Sequence, residues 1–102
     1  PVEKKSVDYM VVMTRIGLKQ FDKTIELIDE MARDGRGGVG QIGFKVACLA
    51  HLGELDKAKN LLVEYLAQRP QVKNLNDYAK VAPTIIKDIL MDGMRKSGLP
   101  EF

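Results

Sequence analysis

Apolar side chains recur along the chain three or four residues apart, in blocks that short polar or glycine-rich breaks separate. This spacing places the apolar residues of each block on one face of a helix. It predicts four long helices, over residues 7–18, 21–32, 42–52 and 55–66, the third of them closed by Gly53. No stretch alternates apolar and polar residues as a half-buried strand does, so the pattern predicts an all-α fold.

Glycine and proline mark the breaks between these helices. The run Gly35–Gly40 predicts a flexible linker, and Pro70 ends the fourth helix. A short helix is expected over Asn74–Val81, and Pro83 is expected in the first turn of a final helix that runs to Lys96. The final helix has one apolar face, made by Ile86, Ile89, Leu90 and Met94.

The chain also matches itself when it is shifted by 34 residues. The shift aligns Val12 with Val46, Leu18 with Leu52, Asp22 with Asp56, Lys23 with Lys57, Leu27 with Leu61 and Glu30 with Glu64. A period of this length is typical of a helical hairpin that stacks on its neighbours in a solenoid. The aligned aspartates follow the turn of each hairpin, where a carboxylate is expected to accept hydrogen bonds from free amides.

We therefore expect a single domain over residues 1–102, a short right-handed α-solenoid of two helical hairpins with a C-terminal capping helix. Repeat 1 spans residues 6–36, repeat 2 spans 40–70, and residues 71–102 hold a linker, the capping helix and a tail. Two repeats cannot close their own ends, and for this reason the final helix is expected to pack as a cap.

Composition excludes several classes of protein. The 102 residues are 45% hydrophobic and include one cysteine, which argues against disorder and excludes an internal disulfide. No run of about 18 apolar residues is present, so we expect no membrane span. The net charge of +2 is too small to indicate nucleic acid on electrostatics alone. Because the chain begins at Pro1, we expect a processed protein or a piece of a longer one.

The second unit, GELDKAKNLLVEYLAQRP, resembles a tetratricopeptide repeat. That family's turn glycine, small packing residue, large apolar residues and closing proline are matched by Gly53, Ala58, Leu62, Tyr65 and Pro70. The unit departs from the family at Tyr65, where alanine is preferred, and at Lys45 and Val46, where leucine and glycine are preferred. The resemblance implies a protein-binding scaffold.

The first unit, FDKTIELIDEMARDG, resembles a pentatricopeptide repeat at least as closely, chiefly in ELIDEMARDG, and MRKSGLP at residues 94–100 resembles the end of such a motif. This resemblance implies binding of single-stranded RNA in mitochondria or chloroplasts, with each base read by a polar residue early in the first helix. The corresponding positions hold Tyr9 or Met10 and Gly43 or Phe44, none of which makes the hydrogen-bond pattern of a base edge. Code-type RNA recognition is therefore not expected.

A tetratricopeptide-like solenoid would bind a partner on its concave face. That face is expected to hold Tyr9, Met13, Ile16, Ala47, Ala50 and His51. Because this surface is apolar and lacks a basic clamp, it would suit an aliphatic helix or an extended peptide of a protein partner within a larger complex. The alternative is that the chain's own final helix fills the face.

No group of residues predicts a reaction. Gly35, Gly37 and Gly40 fit the pattern G-x-G-x-x-G, but a helix precedes them in place of the strand that a dinucleotide site requires. Cys48 and His51 lie on adjacent turns of one helix, without a further Cys or His to complete a metal site. We expect no catalytic residue, metal ion or cofactor, and hence no enzyme.

Basic residues make the best case for an anionic partner. The candidates for contact with RNA or another anion are Arg36, Lys57, Lys59, Arg69 and Lys73, with Tyr78 placed to stack on a base. A solvated helix face is the alternative, because acidic residues are interspersed in the same region. The sequence thus favours a non-enzymatic protein–protein interaction or assembly module, with an organellar pentatricopeptide-type RNA-binding protein as the alternative hypothesis.

Overall fold

Six α-helices and one 3₁₀ turn make up the fold, which a computed structural model describes for residues 2–102, with side chains from residue 7 onward. The elements are α1 (Val2–Gly17), α2 (Phe21–Arg33), α3 (Val39–His51), α4 (Leu55–Gln68), α5 (Leu75–Val81), the 3₁₀ turn (Thr84–Ile86) and α6 (Lys87–Lys96). The described part of the chain contains no strand, which confirms the predicted all-α class.

Three element boundaries differ from those predicted. α1 begins at Val2, before its apolar period starts, because polar residues extend a helix without contributing to that period. α3 begins at Val39, inside the glycine-rich run that predicted a linker, directly after the extended Gly38. The final helix is interrupted, because Pro83 has an extended ψ of 132°, and the α-helix starts only at Lys87, after the 3₁₀ turn.

α3 is the helix around which the others pack. From Gly43 to Ala50 its residues are buried, apart from the half-buried Lys45. Three helices, α2, α4 and α6, contact it. A helix that is apolar on most of its surface requires neighbours on most of its sides, and these three helices exclude water from it.

α6 lies directly on α3. Leu90 and Met94 of α6 are fully buried. Gly93 is so close to Ala47 that a Cβ added at Gly93 would lie 2.7 Å from both the Cα and the Cβ of Ala47. Only glycine permits this approach, because it has no Cβ. The final helix therefore covers the middle of α3, as the self-packing alternative requires.

The turns after α1 and α3 share one backbone geometry at positions 34 residues apart. Lys19 has a φ of 60° and Gly53 a φ of 81°. In each turn this left-handed residue donates its N–H to the carbonyl three residues earlier, and the next residue donates to the carbonyl five residues earlier. These are the hydrogen bonds of a Schellman helix end. The match in sequence therefore coincides with a match in local structure.

The aspartates that follow these turns do not cap the next helices. Asp22 and Asp56 lie in the first turns of α2 and α4. The N-cap residues are Gln20 and Glu54, and neither side chain makes a capping hydrogen bond. The predicted capping role of the aspartates is therefore not observed, although a carboxylate in the first turn still favours the helix dipole.

Replacing Gly93 by alanine tests the contact between α6 and α3. The added methyl group would force the two helices apart, so the free energy of unfolding should fall by about 1–2 kcal/mol despite the higher helix propensity of alanine. Urea denaturation followed by circular dichroism measures this change.

Gly40→Ala is the matched control for this substitution. Gly40 also lies in a helix, but nothing lies within 4 Å of a Cβ added there. Its stability should stay equal to that of the wild type or rise by up to about 1 kcal/mol. A loss for Gly93→Ala no larger than that for Gly40→Ala would contradict the close packing of α6.

Lys19→Gly should stabilise the protein. Glycine adopts a positive φ without the steric cost that the Cβ of lysine incurs, so the free energy of unfolding should rise by about 0.5–1 kcal/mol. The side chain of Lys19 makes no ion pair with the described residues that the change would remove. At the equivalent turn, Gly53→Ala should cost about 1 kcal/mol. Equal or lower stability of Lys19→Gly in urea titrations would refute this account of the turn.

Candidate functional site

The chain itself occupies much of the predicted concave face. Ile16, Ala47 and Ala50 are 0%, 1% and 3% exposed. Gly93 of α6 lies against Ala47, so a partner cannot contact that residue while α6 holds its position. The prediction that these three side chains bind a partner is therefore corrected: they belong to the core, because the long apolar face of α3 is covered by the chain's own last helix.

The other three residues of that face keep part of their surface. Tyr9 is 41% exposed, and Met13 is half-buried. The ring of His51 stacks on Phe21 with centroids 4.6 Å apart, and its Nε2 lies 2.7 Å from the carbonyl oxygen of Ile89. His51 thus joins α2, α3 and α6, and its imidazole takes part in packing between helices.

Cys48 is a core residue, as predicted. It is fully buried, and burial raises the pKa of its thiol to about 12. The thiol stays protonated at neutral pH and is therefore a poor nucleophile. Within the part of the chain that the structure describes, no three His, Cys, Asp or Glu side chains are grouped closely enough to hold a metal ion.

Arg36 contacts two carboxylates. Its Nη1 donates to Asp8 of α1, and its Nη2 donates to Asp34 over 2.9 Å. The hydrogen bonds to Asp34 and Asp8 raise the pKa of the guanidinium. Asp8 is itself 8% exposed, so the pair ties α1 to the loop between α2 and α3. Of the two groups predicted to contact Arg36, a phosphate or a carboxylate, the structure supplies the carboxylate.

The other predicted anion-binding cations lie in different places. Lys57 donates to Glu54 over 3.1 Å, in a groove that further acidic side chains also line. Lys59 is exposed on α4, and Lys73 is exposed in the segment that follows. Arg69 lines a separate cavity. An RNA backbone that followed this surface would therefore meet carboxylates as well as cations.

An apolar groove lies on the outer face of α1. Val7, Met10 and Leu18 are 57%, 67% and 63% exposed. With Val11 and Thr14 they line a groove of about 440 Å³, which we call the α1 groove. Sequence reasoning missed it because every apolar residue of α1 was assigned to internal packing. The signal that identifies it is the presence of apolar residues on more than one face of α1.

A second cavity, of about 290 Å³, lies between α1, α3, α4 and α5, and its aromatic lining consists of Tyr9, Phe44, Tyr65 and Tyr78. We call it the aromatic cavity. Tyr65 and Tyr78 meet edge to face, with centroids 6.0 Å apart. Burial raises the pKa of both hydroxyls, so both tyrosines are neutral at physiological pH. Tyr78 is 2% exposed, so it lines this cavity and does not offer its ring on the basic surface as predicted.

Comparison with known proteins identifies no family for the chain. No family model, no curated protein and no solved structure matches it. Among the helices of the described residues, none is long and apolar enough to cross a bilayer. The α1 groove and the aromatic cavity are therefore interpreted from their own geometry.

Cys48 should resist alkylation in the folded protein. Because its pKa is raised to about 12, the thiolate fraction near neutral pH is negligible, and iodoacetamide should label the native protein no faster than it unfolds. Mass spectrometry measures the labelling, with a denatured sample as the fast control. The shift also lowers stability as pH rises above the ordinary thiol pKa of about 8.5, because the unfolded state then loses its proton first. Rapid labelling under native conditions would contradict the prediction.

Proposed function

We propose that the chain is a non-enzymatic protein-interaction module that binds an amphipathic helix of a partner protein in the α1 groove. The observation that supports this function is a stripe of three large apolar side chains, Val7, Met10 and Leu18, each more than half exposed. Burial of each such side chain would contribute about 1.5–3 kcal/mol. Contiguous exposed apolar surface of this kind is typical of interaction sites.

The 34-residue correspondence indicates what kind of element would fill the groove. Met10 and Thr14 correspond to Phe44 and Cys48 of α3. Those two residues are 5% and 0% exposed, because neighbouring helices of the chain cover them. A helix is therefore the element that suits the open face of α1. The same correspondence supports the proposed arrangement of the two helical hairpins as a short solenoid.

Charge adds a second property of the partner. Arg15 is the one charged side chain that lines the groove, and its Nη1 donates to the carbonyl oxygen of Lys23 over 3.3 Å. Lys19 and Lys23 are exposed near the same end, and no carboxylate of the described residues lines the groove. A partner helix with an apolar face and acidic residues near one end would complement these charges.

The alternative function, single-stranded RNA binding of the pentatricopeptide type, has less support. Arg36 is engaged by two carboxylates and Lys57 by Glu54, so two of the five candidate cations are already paired. The pairing weakens the attraction for a phosphate backbone that this function needs.

Replacing Met10 by lysine tests the proposed function. A photo-crosslinking amino acid at Val7 first identifies a protein that contacts the groove in an extract of the source cells, and that protein is then purified. Met10→Lys should weaken its binding about tenfold to a hundredfold, because a charge replaces an apolar side chain that the partner buries. Arg15→Glu should also weaken binding, because it repels the acidic residues of the partner. Isothermal titration calorimetry measures both effects.

Val63→Lys is the matched control for these variants. Val63 is 68% exposed on α4, outside the groove, so its replacement should change the affinity by no more than about twofold. Circular dichroism checks that every variant keeps its helix content. Equal affinity of the wild type and Met10→Lys, or a crosslinked partner segment that is not helical, would contradict the proposal. Concentration-dependent dimerisation that Met10→Lys abolishes would assign the groove to a second copy of the chain instead.

A further inference from the structure

The aromatic cavity gathers most of the aromatic side chains of the chain. The sequence has three tyrosines and three phenylalanines, and all three tyrosines line this cavity together with Phe44. Tyr9, 41% exposed, forms the mouth, whereas the other three rings are at most 5% exposed and form the floor. The rings of Tyr9 and Phe44 are tilted by 41° with centroids 6.3 Å apart. Such a cavity presents ring faces and edges to a flat aromatic group.

One buried polar atom of the cavity has no partner. Gln41 lines the cavity, and its side-chain oxygen Oε1 is buried without a hydrogen-bond donor among the described residues. A buried acceptor that lacks a donor is unfavourable for folding. A ligand with an N–H group on a flat ring would supply that donor, whereas an aliphatic ligand would leave the oxygen unsatisfied.

The cavity also has the electrostatic character of an anion site. The guanidinium of Arg69 lines it and forms no ion pair with a carboxylate of the described residues. Gly40, in the first turn of α3, lines it as well, and no side chain caps the N-terminus of that helix. The free amides and the dipole of a helix N-terminus favour negative charge, and so does an unpaired arginine. Both features disfavour a cationic ligand.

We propose that the aromatic cavity binds a nucleotide. The base enters among the four aromatic rings, one of its N–H groups donates to Oε1 of Gln41, and its phosphate lies at Arg69 and the first turn of α3. The volume of about 290 Å³ is at the lower end of small-molecule sites, roughly 300–1,000 Å³, and suits one base. The cavity lies apart from the α1 groove, so this site does not depend on the function proposed above.

Titration of the purified chain with AMP, GMP, CMP and UMP tests the site by isothermal titration calorimetry. Tyrosine fluorescence is a second readout, because the chain has no tryptophan and all three tyrosines line the cavity. At least one monophosphate should bind, and the corresponding nucleoside should bind about tenfold more weakly or less, because it lacks the charge-assisted hydrogen bonds of the phosphate.

Two substitutions separate binding from folding. Arg69→Met should weaken the nucleotide about tenfold and leave the affinity of the nucleoside unchanged, because only the phosphate contacts Arg69. Arg33→Met, on the exposed surface of α2, is the matched control and should have no effect. Gln41→Met should weaken nucleotide and nucleoside alike while it raises the resistance to urea, because it removes the unsatisfied oxygen. A residue with a purely structural role would not give this opposite pair of effects.

A single-stranded oligonucleotide with a terminal phosphate distinguishes two sources of the same chemistry. Tighter binding of the oligonucleotide than of any monophosphate would identify a nucleic acid strand as the ligand, and the reverse order would identify a free nucleotide; either result supports the site. Absence of binding by every nucleotide and oligonucleotide would overturn the proposal. It would also be overturned by nucleotide binding that Arg69→Met leaves unchanged, or by binding of a peptide with a C-terminal tryptophan in place of nucleotides.

Discussion

The close approach of Gly93 in α6 to Ala47 in α3 determines how the rest of the chain is arranged. α3 is apolar on most of its surface, so it is stable only when helices cover it on several sides. α6 approaches closely because Gly93 has no Cβ, and Ala47 is then 1% exposed. The surface that two helical hairpins would leave open for a partner is thereby covered from within the chain.

α1 has no equivalent cover. It contacts α2 and the 3₁₀ turn, with Val12 and Ile16 fully buried on one side, while Met10 and Leu18 remain exposed on another. The two segments that match over 34 residues therefore differ in their surroundings: α3 is enclosed, and α1 keeps an open apolar face. Under the proposed function, a partner helix would provide for α1 the packing that α3 receives from its own chain.

The features that the sequence predicted are those that depend on local signals. Gly53 was expected to close the third helix, and it has the positive φ that such a residue adopts. The short helix near Asn74 was also predicted, and the side chain of Asn74 accepts from the N–H of Asp77 over 2.9 Å. The features that were missed depend on residues far apart in the chain. The pattern that identifies α6 as amphipathic does not reveal that Gly93 meets Ala47, and nothing near Arg36 in the sequence points to Asp8.

The aromatic cavity differs from a packing defect in the residue at position 41. Gly43 brings the ring of Tyr65 against α3, since a Cβ there would lie 2.9 Å from Cε1 of that ring, so the floor of the cavity is tightly packed. Stability alone would favour an apolar side chain at Gln41, because the buried oxygen lacks a donor. An apolar residue would also fill the cavity more completely. Glutamine is favourable at this position only if a donor from outside the chain reaches its oxygen, and this is the reason to interpret the cavity as a binding site.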